Sequence, residues 1–279
     1  MKKGINMWAF EKGIELQKKF EIAKAAGFDG VEPNVGENAD IDINASDKHI
    51  KDFKNTADSF GLNIPSVLCP MLWSFPLSSA DVDKRKKAID ITKRSLYTAK
   101  VLGADTMLTI PGIVGAEFIP GSERLNYKSA LENAFESIDS IKGYAKDLGV
   151  YIGLENVWNK FLLSPDEMKR FVDSFNSEYI GTYLDVGNVI PFGYPDQWIL
   201  LLGKRIKKVH LKDFRRSVGN IDGFVDLLSG DVDFIEVIRS LKAIGYDDYL
   251  TAEVFPNKFC PEVIVYNTAN AMDAILKKV

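Results

Sequence analysis

Along this chain short apolar runs alternate with longer stretches of helical periodicity. Residues 4–10, Gly-Ile-Asn-Met-Trp-Ala-Phe, form the first run. A helical pattern follows over 13–26, with apolar positions at Ile14, Phe20, Ile22 and Ala23. Gly27 stops it, as a glycine just beyond the last turn does. The alternation continues with a strand over 30–34, a helix over 47–60 stopped by Gly61, and a strand over 62–68. An aromatic and proline-rich loop over 69–76 leads to a long helix over 81–102, ended by Gly103. A fourth strand covers 105–110, and a glycine- and proline-rich loop precedes a helix over 127–148. Gly149 then opens the fifth strand. Ser164-Pro165-Asp166-Glu167 has the order of an N-cap, a proline at the first helical position and acids in the first turn. The Trp198 region links the sixth strand to the seventh, a helix over 232–244 precedes the eighth, and residues 260–278 contain the last helix.

Strand starts near residues 4, 30, 62, 105, 150, 180, 206 and 249 make eight strand-then-helix units. That count predicts an α/β chain folded as a single (β/α)₈ TIM barrel domain over residues 1–279. An open doubly wound sheet is the competing architecture, but no Gly-x-Gly-x-x-Gly turn follows the first strand.

Four of the later strands end in a side chain able to bind a cation. Residues 148–156 close on Glu155-Asn156, residues 180–185 on Asp185, residues 206–210 on His210 and residues 249–253 on Glu253. Thirty residues separate Glu155 from Asp185, 25 separate Asp185 from His210 and 43 separate His210 from Glu253, each step one strand-helix unit. All C-terminal strand ends of a barrel open on one face, so four such residues converge there. Three carboxylates and one imidazole are a donor set for a single divalent metal. Taken one at a time, each carboxylate would be better explained as a helix cap or a partner of a nearby lysine. His210 tips the balance, because His49 is the only other histidine and sits in the polar helical stretch 47–51, where a solvated position is expected.

Composition narrows the functional class. A formal charge of −4 with a pI near 5.4 argues against nucleic-acid binding, which relies on lysine and arginine neutralising phosphates. No segment approaches the apolar length of a membrane span and the N-terminus lacks a signal-peptide core, so a cytoplasmic protein without membrane attachment is expected. Cys69 and Cys260 form no framework and no zinc-spacing motif, and both are expected to be buried, inert thiols.

The stretches Gly-Leu-Glu-Asn (153–156), Tyr-Leu-Asp-Val-Gly-Asn (183–188), Val-His-Leu-Lys-Asp (209–213) and Ala-Glu-Val-Phe (252–255) resemble the motifs of the xylose isomerase-like barrel superfamily. Within it the chain is most similar to the sugar and sugar-phosphate isomerase/epimerases, including ketose 3-epimerases of the tagatose/psicose type. Gly-Ile-Asn-Met-Trp at 4–8, Ala-Gly-Phe-Asp-Gly-Val-Glu at 26–32 and Gly-Tyr-Asp-Asp-Tyr-Leu at 245–250 extend the similarity over nearly the whole chain. The resemblance implies one divalent metal ion held by Glu155, Asp185, His210 and Glu253, with Mn²⁺ first and Mg²⁺, Co²⁺ or Zn²⁺ as alternatives. It also implies a small-molecule sugar or sugar-phosphate substrate, and proton transfer by Glu155 and Glu253 through a metal-stabilised cis-enediolate. A dimer or tetramer is the assembly it suggests.

Two positions depart from the tagatose-type pattern. Asn188 stands where those enzymes have a substrate-contacting histidine, and Asn159, Lys160 and Phe161 occupy the region of a further glutamate. An amide can hydrogen-bond a sugar hydroxyl but exchanges no proton near neutral pH, so Asn188 is a positioning residue. Lys212, Arg215 and Arg216 follow the seventh strand and would suit a phosphate. Trp8 and Trp73, with Phe75, are placed to wall the sugar pocket, and Glu32 is a substrate or supporting contact. A metal-dependent lyase of the inosose or dehydroshikimate dehydratase type shares the enolising chemistry and is the alternative function. The apurinic-site endonucleases of this superfamily need a trinuclear zinc centre with several histidines, which a chain with two cannot build.

Overall fold

In the computed structural model, which describes residues 1–279, eight parallel strands form one sheet. They are β1 (Lys2–Asn6), β2 (Gly30–Glu32), β3 (Ser66–Leu68), β4 (Thr106–Thr109), β5 (Tyr151–Glu155), β6 (Ile180–Asp185), β7 (Ile206–Leu211) and β8 (Tyr249–Ala252). Their spatial order is β2-β1-β8-β7-β6-β5-β4-β3. Two isolated parallel bridges, Gly30 with Asn63 and Asn34 with Leu68, join β2 to β3 and close the ring. Three backbone hydrogen bonds cross this seam: Asn63 N–H to Asp29 O at 3.0 Å, Val31 N–H to Asn63 O at 2.9 Å and Leu68 N–H to Pro33 O at 3.3 Å. Pro33 and Pro65 flank it, and a proline has no N–H to give to a ladder. The third strand therefore starts at Ser66 rather than at residue 62.

Eight longer helices surround the strands, α1 (Leu16–Ala26), α2 (Asp47–Ser59), α3 (Val82–Leu102), α4 (Tyr127–Leu148), α5 (Pro165–Ser174), α6 (Pro195–Leu202), α7 (Phe234–Ala243) and α8 (Val263–Lys277), and a single helical turn, Val186–Val189, follows β6. The architecture is the (β/α)₈ TIM barrel that the strand count predicts. Gly27, Gly103 and Gly149 close α1, α3 and α4 with φ of 90°, 77° and 68°, a left-handed conformation that costs a residue with a Cβ. Ser164 and Glu167 form a reciprocal capping box at the start of α5, with Pro165 at its first position.

Seventy buried apolar residues form one contiguous cluster, and a smaller set, Leu68, Leu108 and Tyr183, packs against Trp8. At the opposite end of β7 the buried Lys208 ammonium lies 2.7 Å from Asp105 and 2.5 Å from Asp248, tying β7 to the approaches of β4 and β8. His49 is exposed on α2, as expected. Both cysteines are free. Cys69 is buried, but Cys260 is exposed in the segment leading to α8, so the expectation of two buried thiols fails there: that segment runs over the surface instead of between elements. No helix is long and apolar enough to cross a membrane.

Candidate active site

The C-terminal ends of β5 to β8 deliver Glu155, Asp185, His210 and Glu253 to one point, with one donor atom from each lying within 4.8 Å of all the others. All four are buried, and Asp185 and His210 completely so. Strand register produces this convergence: Asp185 sits opposite His210 between β6 and β7, and Glu155 opposite Tyr183 between β5 and β6. A register shift between Thr182 and Tyr183 re-aims the end of β6 immediately before the cluster.

The imidazole of His210 is held from behind. Its Nε2 lies 2.8 Å from Oε2 of Glu32, at the end of β2. Glu32 is fully buried, and its Oε2 also accepts from Asn6 Nδ2 at 2.8 Å. Its other oxygen accepts from the hydroxyls of Ser66 and Tyr183, both at 2.6 Å. A histidine held through Nε2 turns Nδ1 toward the cluster. There Nδ1 lies 3.1 Å from Glu253 and 3.6 Å from Glu155, with hydrogen-bond geometry to neither. Asp185 Oδ2 is likewise buried without a hydrogen bond. Its other oxygen, Oδ1, accepts the Asn188 N–H at 2.8 Å. Two orphaned buried lone-pair donors within a set of three carboxylates and one imidazole fit a divalent cation.

Asn156 fixes the edge of the site. Its side chain accepts the Asp185 N–H at 2.9 Å and donates to the Asp185 carbonyl at 2.8 Å, locking the end of β5 to the end of β6. Asn188 donates to the Asn156 carbonyl at 3.0 Å, and Trp158 donates to the Asn188 carbonyl at 3.3 Å.

Charges here are tightly matched. Burial pushes the Glu155 carboxyl up to about 7, and repulsion from Glu253 adds to the effect. Burial also opposes ionisation of Glu253, but the Lys212 ammonium and His210 outweigh it and bring that carboxyl down to about 2. Lys212 Nζ lies 2.8 Å from Glu253 and 3.2 Å from Asp185. Burial works against a charged imidazole on His210, yet the surrounding carboxylates, Glu32 first, hold its pKa well above the ordinary histidine range.

The cluster opens into a cavity of about 410 Å³, a size suited to a small organic ligand. Glu155, His210, Glu253, Lys212 and Asn188 face it, and Trp8 and Trp73 line its wall. Four expected contacts stand elsewhere, the first being Phe75, which does not line the cavity and lies beneath the Lys87 ammonium, 3.9 Å from its ring centre. Glu32 is behind His210 with both oxygens engaged, so it supports the imidazole and offers nothing to a substrate. Arg215 donates to the Ser229 carbonyl at 2.9 Å, and the Arg216 guanidinium lies over the Tyr194 ring, 5.5 Å from its centre, in a separate depression. The loop after β7 folds back as a two-stranded antiparallel ribbon, Asp213–Phe214 with Phe224–Val225, and this fold carries both arginines away. Asp213 holds it by accepting the N–H groups of Phe214, Gly230 and Val232.

The residue reading misses Asn6, Ser66 and Tyr183 around Glu32, and the aromatic walls Phe118, Trp158, Phe224 and Phe255. Tyr183 had a signal: it lies two residues before Asp185, and alternate residues of a strand share a side. Ser66 and Asn6 had none, because their importance comes from a contact with another strand.

Residues 20–275 match the family model of the xylose isomerase-like TIM barrel. L-ribulose-5-phosphate 3-epimerase UlaE of Escherichia coli strain K12 is 24% identical over 253 residues, which cover 88% of this chain and 86% of that protein. The Methanocaldococcus jannaschii protein MJ1311 is 28% identical over 175 residues, 61% of this chain and 57% of that protein's length. A D-psicose 3-epimerase crystallised in the presence of D-fructose shares the fold, with a TM-score of 0.80 at 18% identity over 98% of both chains. With the model match extending over all but the first 19 and last four residues, the chain belongs to the xylose isomerase-like TIM barrel family.

Proposed function

We propose that this chain is a divalent-metal-dependent sugar isomerase/epimerase that works as a ketose 3-epimerase, acting in the cytoplasm as one barrel domain over residues 1–279. The observation that carries the reading is the placement of Glu155 and Glu253. They reach the same buried cluster from β5 and from the residue after β8, strands separated by β6 and β7, and both face the cavity. Epimerisation needs two proton-transfer groups, one for each face of a planar intermediate. The family match and the two 3-epimerases described above support the reading.

A cation held by Glu155, Asp185, His210 and Glu253, Mn²⁺ by preference, would supply Lewis-acid stabilisation of the charge that develops when the proton beside a ketose carbonyl leaves. One of the two glutamates takes that proton and the other returns one from the opposite side. The Lys212 ammonium balances the carboxylate charge, and its position at the cavity wall suits a hydrogen bond to a substrate oxygen. Asn188 is held by two hydrogen bonds at the cavity edge, which suits it to orient a hydroxyl. Trp8 and Trp73 exclude water from the proton transfers.

Deuterium incorporation from D₂O into a panel of ketoses, ketose phosphates and inososes tests the reading, with Mn²⁺, after chelation, and for Glu253→Gln. Metal-dependent exchange at one carbon, lost in Glu253→Gln, is expected, with an epimer as the labelled product. A dehydrated product would instead assign a lyase. Absence of exchange from the whole panel in protein with confirmed bound metal would overturn proton transfer on these substrates.

A further inference from the structure

The walls of the cavity carry information about the end of the substrate remote from the cluster. Five acidic or basic side chains line it, Glu155, His210, Lys212, Asp222 and Glu253, together with the thiol of Cys69. Lys212 is the sole lysine or arginine among them, and its ammonium is already shared between Glu253 and Asp185. Away from the cluster the one charge is the carboxylate of Asp222, exposed at the rim on the loop after β7.

Four cations on neighbouring loops are engaged elsewhere. Arg215 and Arg216 have the partners described above, Lys160 pairs with Glu117, and Lys258 lies over the Phe259 ring, 5.5 Å from its centre. None of these four lines the cavity. Aromatic surface takes their place. Trp8 and Phe255 stack with ring centres 6.1 Å apart and planes within 16°, and Trp73 meets Phe118 edge-on at 5.3 Å. Trp158 and Phe224 cover another side, with centres 5.1 Å apart.

With the cation already ligated by the cluster, a phosphate dianion at the far end of a ketose would lose hydration, meet no free lysine or arginine and face the Asp222 carboxylate. The C–H face of a neutral sugar skeleton loses little water and gains contact with large apolar rings. We infer that the substrate is a ketose carrying no anionic group at its far end, a neutral or deoxy sugar packed against the aromatic walls, and that Asp222 at the rim discriminates against phosphorylated ketoses. The inference rests on the proposed function for the identification of the ligand as a ketose. It separates this chain from the phosphorylated substrate class that the name of the Escherichia coli relative specifies.

Three cavity-lining tryptophans supply a binding readout that needs no turnover. Mn²⁺-loaded protein is titrated with D-fructose and D-fructose 6-phosphate, and with D-ribulose and D-ribulose 5-phosphate, following tryptophan fluorescence. Inorganic phosphate at matched concentration corrects for anion binding to the cation itself. The neutral ketose of each pair is expected to bind at least about tenfold more tightly than its phosphate, as like-charge rejection predicts, and Asp222→Lys is expected to narrow or invert that ratio. A phosphate ester that binds wild-type protein as tightly as its parent ketose, or quenching by neither member of a pair, would overturn the inference. If the binding preference holds while no deuterium exchange is found, proton transfer falls and the neutral-ligand assignment stands. Exchange confined to the phosphate esters would do the reverse.

Discussion

Nε2 of His210 and Oε2 of Glu32 lie 2.8 Å apart with neither residue exposed to solvent, a contact between β7 and β2 across 178 positions of sequence. It sets the ring orientation of the one nitrogen donor in the cluster. Glu32→Gln keeps the shape but removes the charge that favours an Nε2 proton, and the expected result is a metal affinity lower by about 10–100-fold, read by isothermal titration. An unchanged affinity would mean that packing alone orients His210.

Tyr183 donates to Glu32 from inside the barrel and leaves Ser66 and His210 as neighbours in the same buried group. Tyr183→Phe strips one donor from a buried carboxylate. The expected cost is about 1–3 kcal/mol, seen as a melting temperature lower by several degrees with the circular dichroism of the native state unchanged. Equal melting temperatures would show that Ser66 and Asn6 suffice.

Asn156→Ala leaves both the N–H and the C=O of Asp185 without their side-chain partner. Two buried backbone groups losing a partner predict a loss of about 2–5 kcal/mol, measured as a lower urea midpoint at unchanged slope. Binding of Mn²⁺ should weaken in the same variant, since the Asp185 carboxylate hangs from that backbone.

Loading with a cation should release protons. In the metal-free cluster Glu155 is pushed up to about 7, chiefly by burial, and His210 is held well above the ordinary histidine range by the carboxylates that overcome its burial. Both groups therefore retain protons at and below neutrality, whereas a cation requires a carboxylate and a neutral ring nitrogen. Apparent affinity is expected to rise with pH between about pH 6 and about pH 8, because fewer protons remain to be displaced. Titration calorimetry in two buffers of different ionisation enthalpy counts the released protons, and a count of zero at about pH 6 would refute the charge assignment.

Chelation should destabilise the fold as well as silence it. A cation that binds only the folded chain adds about 2.7 kcal/mol of stability at a hundred times its dissociation constant. The melting temperature is expected to fall on chelation and recover on adding Mn²⁺, and Asp185→Asn should flatten that response. A melting temperature indifferent to both treatments would argue against a cation at this cluster.

By itself the sequence determined the eight strand-helix units, the glycines that end α1, α3 and α4, and the four side chains that close β5 to β8. Those features follow from local periodicity and from one requirement, that a residue beyond the last turn adopt a left-handed conformation. The four-residue cluster was legible because parallel neighbours in a barrel place successive strand ends side by side, so spacing in sequence became proximity in space. What stands behind those strand ends was decided only by the tertiary structure. Glu32 and Tyr183 meet because β2 and β6 face one another through the barrel interior, a relation that no local pattern encodes. The same holds for Arg215 and Arg216, which have the right chemistry and the right position after β7. Asp213 gathers three backbone N–H groups and folds their loop into a ribbon that turns both guanidinium groups away from the cavity. Strand ends are fixed by the chain's own direction, whereas a loop side chain is aimed by the contacts of residues far from it.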